Sequence, residues 1–193
     1  MHPAPGDIVL PFADSAAFDK WLAKNHAKAP LVWIRYAKKS KDEPSINWTQ
    51  AVDVALCYGW IDGQAQKLDE HHYLQRFTPR RAKSRWSKIN RERVERLIEE
   101  KRMRPAGLAE VELAKADGRW DEAYDSPSSA TIPPELAAVL AKNKKAKAAF
   151  EKFTSAERYS LLYRLQHAKK AETRAKHIEE FVRTGLPKPA PKR

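Results

Sequence analysis

Cysteine is nearly absent from this chain of 193 residues, and Cys57 is the only one. A single cysteine cannot form an intramolecular disulfide, and it excludes metal sites that are built from several thiolates. Because Cys57 lies in an apolar helical run, we expect an inert thiol in the core. A chain without disulfides fits a reducing compartment, so we expect a cytoplasmic protein.

Long apolar runs are also missing. No stretch approaches the roughly 18 apolar residues that a membrane-spanning helix requires. The first residues, MHPAPGDIVLPFADS, contain neither a basic start nor a long apolar segment, so we expect no signal peptide. Since 42% of the residues are hydrophobic and six are Trp, the chain is expected to fold around a core rather than to be disordered.

The common catalytic and cofactor-binding motifs are absent from the sequence. It contains no HExxH, GxSxG, P-loop or GxGxxG. His71 and His72 are adjacent on a predicted strand, so they point to opposite faces and are poorly placed to share a metal. We therefore predict no cofactor and no metal, and a binding protein rather than an enzyme.

Acidic residues are too few to balance the basic ones, and the formal net charge is +12. Residues 76–104 carry 12 basic and 4 acidic side chains, and residues 142–176 carry 11 and 3. Residues 105–141, between these blocks, carry 2 basic and 7 acidic side chains. Two basic blocks favour phosphate-bearing partners. The alternative is that they are solvated helix faces without a partner.

The hydrophobic pattern predicts an α+β fold. A first helix is expected to follow a cap at Asp14 or Ser15. Three strands, with a helix between the first two, are expected over residues 31–37, 60–68 and 71–78. They predict a small, mostly antiparallel sheet packed with helices. A further helix, with Ser84 as its cap, is expected over about residues 85–102.

The C-terminal part is predicted to be all-helical. Residues 118–134 are rich in Pro, Ser and turn formers, and they are the best linker candidate. Thr154 and Glu157 have the spacing of a capping box at the start of a long helix. We expect an α+β domain over residues 1–125, followed by a helical module with a basic tail over residues 126–193.

Two stretches are similar to a known family. The first lies within residues 48–90 and reads WTQAVDVALCYGWIDG, then YLQRFTPRRAKSRWSKIN; the second, over residues 150–185, reads FEKFTSAERYSLLYRLQHAKKAETRAKHIEEFVRTG. They resemble the bacteriocin-protection, YdeI or OmpD-associated family. The resemblance implies protection against bacteriocins or cationic antimicrobial peptides and association with a porin, but no reaction and no cofactor. The expected lack of an export signal departs from periplasmic family members and argues against direct porin association.

The segment from Arg76 to Ser87 interleaves arginines, hydroxyl groups and aromatic rings just before a predicted helix. Guanidinium groups and backbone N–H groups near a helix start can form an anion site. We expect this site to bind an anionic small molecule or a phosphate-bearing partner. The predicted ligand-binding residues are Trp60, Asp62, Arg76, Arg80, Arg85, Trp86, Ser87 and Asn90.

Asp62 and Asn90 are open to a structural as well as a functional interpretation. Asp62 is expected to pair with Arg76 or Arg80. A three-residue hairpin loop would place Asp62 opposite Arg76, whereas a two-residue loop would place Gly63 there. Asn90 is expected to share a helix face with Trp86. It then either makes a structural hydrogen bond or lines a concave site together with Trp86 and Asp62.

A second basic cluster either binds phosphate or marks a junction between two helices. It consists of Lys169, Lys170, Thr173 and Arg174.

Three functions are compatible with these residues. The first is a non-catalytic stress-protection protein that binds an anion through residues 76–90. The second is a non-specific nucleic-acid-binding protein that uses both basic blocks. The third is a small-molecule enzyme that uses Asp62, Arg76 and Asn90. The lack of a catalytic motif and of a recognised nucleic-acid module favours the first.

Overall fold

The structure is a computed structural model that describes residues 3–38, 43–127 and 129–186. The chain divides into two compact units: a first unit of Met1–Trp86 and Asn90–Glu122, and a second of Ser87–Ile89 and Ala123–Arg193. The predicted basic tail, residues 187–193, lies outside the described residues. The predicted domain boundary after residue 125 stays a prediction.

A four-stranded sheet forms the base of the first unit, in the order β1-β2-β4-β3. Its strands are β1 (Val9–Pro11), β2 (Val32–Ala37), β3 (Trp60–Lys67) and β4 (His72–Pro79). β1 is parallel to β2, and the other two pairings are antiparallel. The α+β class is therefore confirmed. β1 was not predicted, because three residues that end in proline are too short to show alternation.

Four helices follow one another up to residue 116. They are α1 (Ser15–Asn25), α2 (Trp48–Cys57), α3 (Lys88–Glu99) and α4 (Pro105–Ala116). Asp14 caps α1 by accepting a hydrogen bond from the Ala17 amide at 2.8 Å. α1 packs on the sheet: the rings of Phe18 and Phe77 lie 5.7 Å apart. Because Phe18 and Phe77 are both fully buried, the core of this unit lies between α1 and the sheet.

The predicted start of the third helix was wrong. α3 begins at Lys88 rather than at about residue 85, so Trp86 precedes the helix and Ser84 does not cap it. The Ser84 carbonyl accepts hydrogen bonds from the Arg80 and Arg119 guanidinium groups, and the Lys88 amide donates to the Tyr124 carbonyl at 2.9 Å. In a helix that began at residue 85, the Lys88 amide would donate to the Ser84 carbonyl. Because both groups have other partners, the helix begins later.

Of the two hairpin registers left open, the one that places Asp62 opposite Arg76 does not form. Asp62 pairs with Phe77 between β3 and β4, and a bulge between Asp62 and Ala65 then shifts the register. Gly63 lies inside this bulge. Glycine weakens the regular pairing of a strand, and it is therefore common at bulges. A hydrophobic pattern does not report an inserted residue, so the sequence could not fix this register.

The second unit is helical, as predicted. Its helices are α5 (Pro134–Lys142), α6 (Lys144–Glu151), α7 (Ser155–His167) and α8 (Ala171–Thr184). Thr154 and Glu157 form the expected capping box at α7. The core consists of Leu136, Leu140, Ala146, Phe150, Leu161, Leu162, Leu165, Ile178 and Phe181. Among the described residues, no helix is long and apolar enough to cross a membrane.

Candidate functional site

The loop between β4 and α3 is held in place by a buried arginine. We call residues 80–86 the Arg80 loop. Arg80 is only 6% exposed, and its Nη2 donates to the carbonyl oxygens of Arg85 at 2.8 Å and of Ser84 at 3.4 Å. Its guanidinium carbon lies 3.7 Å from the centre of the Trp86 ring, close enough for a cation–π contact. The two ends of the loop are therefore tied together from inside.

Trp86 anchors the end of the loop in the core of the first unit. It is 1% exposed, and its ring lies 5.0 Å from that of Trp120. Arg119 adds a second tie from the same segment, because its Nη1 donates to the Ser84 carbonyl at 2.8 Å. The Trp86 Nε1 is buried and has no hydrogen-bond partner among the described residues. The loop is thus well anchored, and one N–H donor remains unused beneath it.

Three cationic side chains of the Arg80 loop face solvent. Arg81, Lys83 and Arg85 are all exposed. None of the three forms an ion pair with an acidic side chain in the described part of the chain. The Ser84 hydroxyl accepts a hydrogen bond from the Arg81 amide at 3.0 Å, which tightens the turn. The arrangement is a short, fixed loop with a concentrated positive charge, and it can bind an anion.

Trp60, Asp62 and Arg76 are placed elsewhere in the first unit. Trp60 is a core residue, 1% exposed, whose Nε1 donates to the His26 carbonyl. The Asp62 carboxylate accepts a hydrogen bond from Trp48 Nε1 at 3.3 Å and has further interactions. Arg76 lies opposite Trp33 in β2 and is partly buried. Of these three residues, Asp62 and Arg76 are the more accessible to a ligand.

Trp86 and Asn90 do not share a helix face, because Trp86 precedes α3. Asn90 is partly buried in the first turn of α3, and Ser87 forms an isolated bridge with Tyr124 in the second unit. Both residues have interaction partners. Whether Asn90, Trp86 and Asp62 line one concave site stays a prediction.

The second basic cluster lies at the junction between α7 and α8. Lys170 is the N-cap residue of α8. Arg174 donates to the Ala168 carbonyl at 2.9 Å and pairs with Glu135 at 3.1 Å, so its charge is already used within the unit. Lys169 and Thr173 complete the cluster. The geometry favours the junction interpretation over a phosphate site.

The thiol and the histidines offer little reactivity. Cys57 is buried, and burial raises the pKa of its thiol to about 11, which keeps it protonated at neutral pH. This placement matches the expected core thiol. His72 is held between two carboxylates, whereas His71 is exposed. The described residues contain no cluster of three or more His, Cys, Asp or Glu side chains that could hold a metal.

A polar cluster that the sequence analysis missed lies at one edge of the first unit. Asp19, His26, Tyr58 and Arg104 line an open depression together with Ala23, Pro105 and Ala106. Their side chains come from α1, the loop after it, the end of α2 and the start of α4. Nothing in the spacing of residues so far apart in sequence indicates that they meet.

These observations define an α+β protein with a fixed basic loop and a separate helical unit. The chain belongs to the family described as "Domain of unknown function (DUF8412)", whose model matches residues 10–110. A second family model, described as "Bacteriocin-protection, YdeI or OmpD-Associated", matches residues 129–184. The predicted resemblance is thereby confirmed for the C-terminal stretch, whereas the stretch within residues 48–90 falls in the match to the family of unknown function. No curated protein and no solved structure matches the chain.

Proposed function

We propose that this protein is a cytoplasmic, non-catalytic protection protein that binds a phosphate-bearing anion at the Arg80 loop. The observation that carries the proposal is the anchoring of the loop by Arg80, whose Nη2 lies 2.8 Å from the Arg85 carbonyl. The loop also presents three exposed cations that form no ion pair within the described residues. A flexible loop would lose conformational entropy on binding an anion. A loop that is already fixed avoids most of that cost.

The chemistry of the exposed side chains favours phosphate over other anions. The guanidinium groups of Arg81 and Arg85 each present a planar set of N–H donors that matches two phosphate oxygens. Lys83, between them in sequence, adds a compact point charge. No acidic side chain occurs between residues 76 and 91, so the local potential is not offset along the chain.

The protective role rests on the C-terminal unit. Residues 129–184 match a family whose name records bacteriocin protection. We propose that protection extends to this whole chain and that anion binding at the Arg80 loop is the part that the first unit contributes.

The test compares two triple variants of equal charge. One replaces Arg81, Lys83 and Arg85 by alanine; the control replaces Lys20, Lys24 and Lys28, which are also exposed residues of the first unit. Calorimetric titration with inorganic phosphate and pyrophosphate should show saturable binding to the parent protein. We expect the loop variant to lose at least about tenfold in affinity, since each charge-assisted hydrogen bond contributes roughly 1.5–3 kcal/mol. The control should change little.

Two results would contradict the proposal. One is the absence of saturable binding of either probe by the parent protein. The other is an equal loss of affinity in both triple variants, which would show that phosphate binding depends only on the net charge of the protein. A survival assay with the same variants in cells exposed to a bacteriocin then tests whether binding and protection are linked.

A further inference from the structure

The depression lined by Asp19, His26, Tyr58 and Arg104 has a volume of about 420 Å³. That volume lies within the range of small-molecule sites, roughly 300–1,000 Å³. Its lining combines two aromatic rings, small apolar side chains and a few polar groups, which is the usual composition of such sites. None of its residues belongs to the Arg80 loop, so it is a second site of the first unit.

Tyr58 lines the depression, and Asp19 holds its hydroxyl. Its hydroxyl donates to Asp19 Oδ1 at 3.1 Å. Burial, followed by the neighbouring Asp19 charge, raises the pKa of Tyr58, so the phenol stays protonated at neutral pH. The hydroxyl is therefore committed to Asp19, and the ring is left as an apolar wall for a ligand.

Arg104 lines the depression beside both Asp19 and Tyr58. It is half exposed, and it reaches Asp19 Oδ2 through one long contact of 3.4 Å from Nη2. Its guanidinium carbon lies 5.9 Å from the centre of the Tyr58 ring. A guanidinium has more N–H donors than Asp19 and Tyr58 occupy, so the remaining ones can turn towards a carboxylate.

His26 supplies an acceptor next to Tyr58. Its Nδ1 lies 2.9 Å from the Leu22 carbonyl oxygen, which can only accept, so Nδ1 carries the hydrogen. In the neutral ring Nε2 is then the acceptor. The His26 ring centre is 5.2 Å from that of Tyr58. An acceptor nitrogen and a cationic donor thus flank the same aromatic wall.

The far wall is rigid because α4 approaches the end of α2 very closely. A Cβ atom at Gly107 would lie 2.3 Å from the Cys57 carbonyl oxygen, so only glycine fits there. The Arg104 amide also donates to that carbonyl, at 3.0 Å. This contact fixes Pro105 and Ala106 beside Tyr58 and gives the depression a defined width.

We infer that this depression binds a small aromatic hydroxycarboxylic acid. The ligand's ring lies against Tyr58, its carboxylate accepts hydrogen bonds from Arg104, and its hydroxyl donates to His26 Nε2. The small side chains of Ala23, Pro105 and Ala106 leave room for a planar body. A ligand that lacks either polar group would leave one of these partners unused.

The experiment uses 4-hydroxybenzoate as the probe, with benzoate and phenol as truncated controls, and the full-length protein observed by NMR. The expected result is saturable binding of 4-hydroxybenzoate that shifts the His26 imidazole resonances. Benzoate and phenol should each bind at least about tenfold more weakly, which corresponds to about 1.4 kcal/mol for each lost partner.

Two arginine variants test whether Arg104 binds the carboxylate of the ligand. Arg104→Gln should weaken 4-hydroxybenzoate binding by about tenfold or more. Arg102→Gln, which removes an exposed arginine that pairs with Glu100 at 2.9 Å, should change it by less than about twofold. Failure of the parent protein to saturate at millimolar probe, or equal losses in the two arginine variants, would overturn the inference.

Discussion

His72 lies between two carboxylates on the sheet of the first unit. Its Nε2 is 3.0 Å from Glu43 Oε2, and its Nδ1 is 2.9 Å from Asp69 Oδ2. The hydrogen bond to Glu43, then that to Asp69, raises the pKa of His72. The hydrogen bond from His72 is in turn the first cause that lowers the pKa of Glu43, and that of Asp69 to about 2.

These shifts predict a defined pH dependence of stability. Because the pKa of His72 is raised in the folded state, its contribution is complete below the ordinary histidine pKa of about 6.5 and is lost as the pH rises through the raised value. The contributions of Glu43 and Asp69 are present above ordinary carboxyl values and are lost as the pH falls through their lowered pKa values. The midpoint temperature of thermal unfolding should therefore decrease when the pH is raised from 6 to 9. These pH values are chosen around the ordinary pKa of histidine, about 6.5.

The neighbouring histidine provides a matched control. In His72→Gln the fall of the midpoint with rising pH should be much smaller, while His71→Gln, which changes an exposed side chain, should keep the slope of the parent protein. The same slope in all three proteins would show that His72 does not couple stability to pH.

At the scale of elements, the contact between α2 and α4 depends on Gly107. Gly107→Ala would place a methyl group 2.3 Å from the Cys57 carbonyl oxygen and 2.7 Å from that of Leu56, and both are backbone atoms. We expect a loss of roughly 1–3 kcal/mol in the free energy of unfolding, measured by urea denaturation, because the two helices must separate. Gly63→Ala is the control, since its new Cβ would have no neighbour closer than 3.6 Å. Equal stability of the two variants would contradict the packing described here.

Most elements of this fold could be predicted from the sequence because they carry local signals. α1 and α7 have capping residues at the expected positions, Asp14 and Thr154, and β2 is rich in β-branched and aromatic residues. The start of α3 could not be predicted, because the groups that delay it bond to residues as distant in sequence as Arg119 and Tyr124.

The two candidate sites also differ in how far the sequence reveals them. The Arg80 loop is one continuous segment, so its charge and its proximity to a helix start are visible in the sequence. What the sequence could not show is that Arg80 itself points inward and fixes the loop, while Arg81 and Arg85 point out. The depression around Tyr58 is assembled from three segments that are far apart in sequence, and no sequence pattern reports such an assembly.

At the scale of the whole molecule, the net charge of +12 must be separated from the chemistry of the Arg80 loop. Any protein with this charge attracts a polyanion such as duplex DNA and releases counterions on binding. Such attraction depends on the number of cations near the phosphates rather than on the geometry of one loop.

We therefore expect the two triple variants to have similar affinities for duplex DNA but different affinities for inorganic phosphate. The logarithm of DNA affinity should fall linearly with the logarithm of salt concentration, and the loop variant and the Lys20, Lys24 and Lys28 control should weaken DNA binding by similar factors, because each removes three charges. Phosphate binding should be lost only in the loop variant. Fluorescence anisotropy over a salt series measures the first quantity, and calorimetry measures the second. If the loop variant reduced the salt dependence of DNA binding far more than the control did, the Arg80 loop would be a nucleic-acid contact. The non-specific nucleic-acid-binding function would then replace the anion-binding proposal, because the cations of the Arg80 loop would contact DNA.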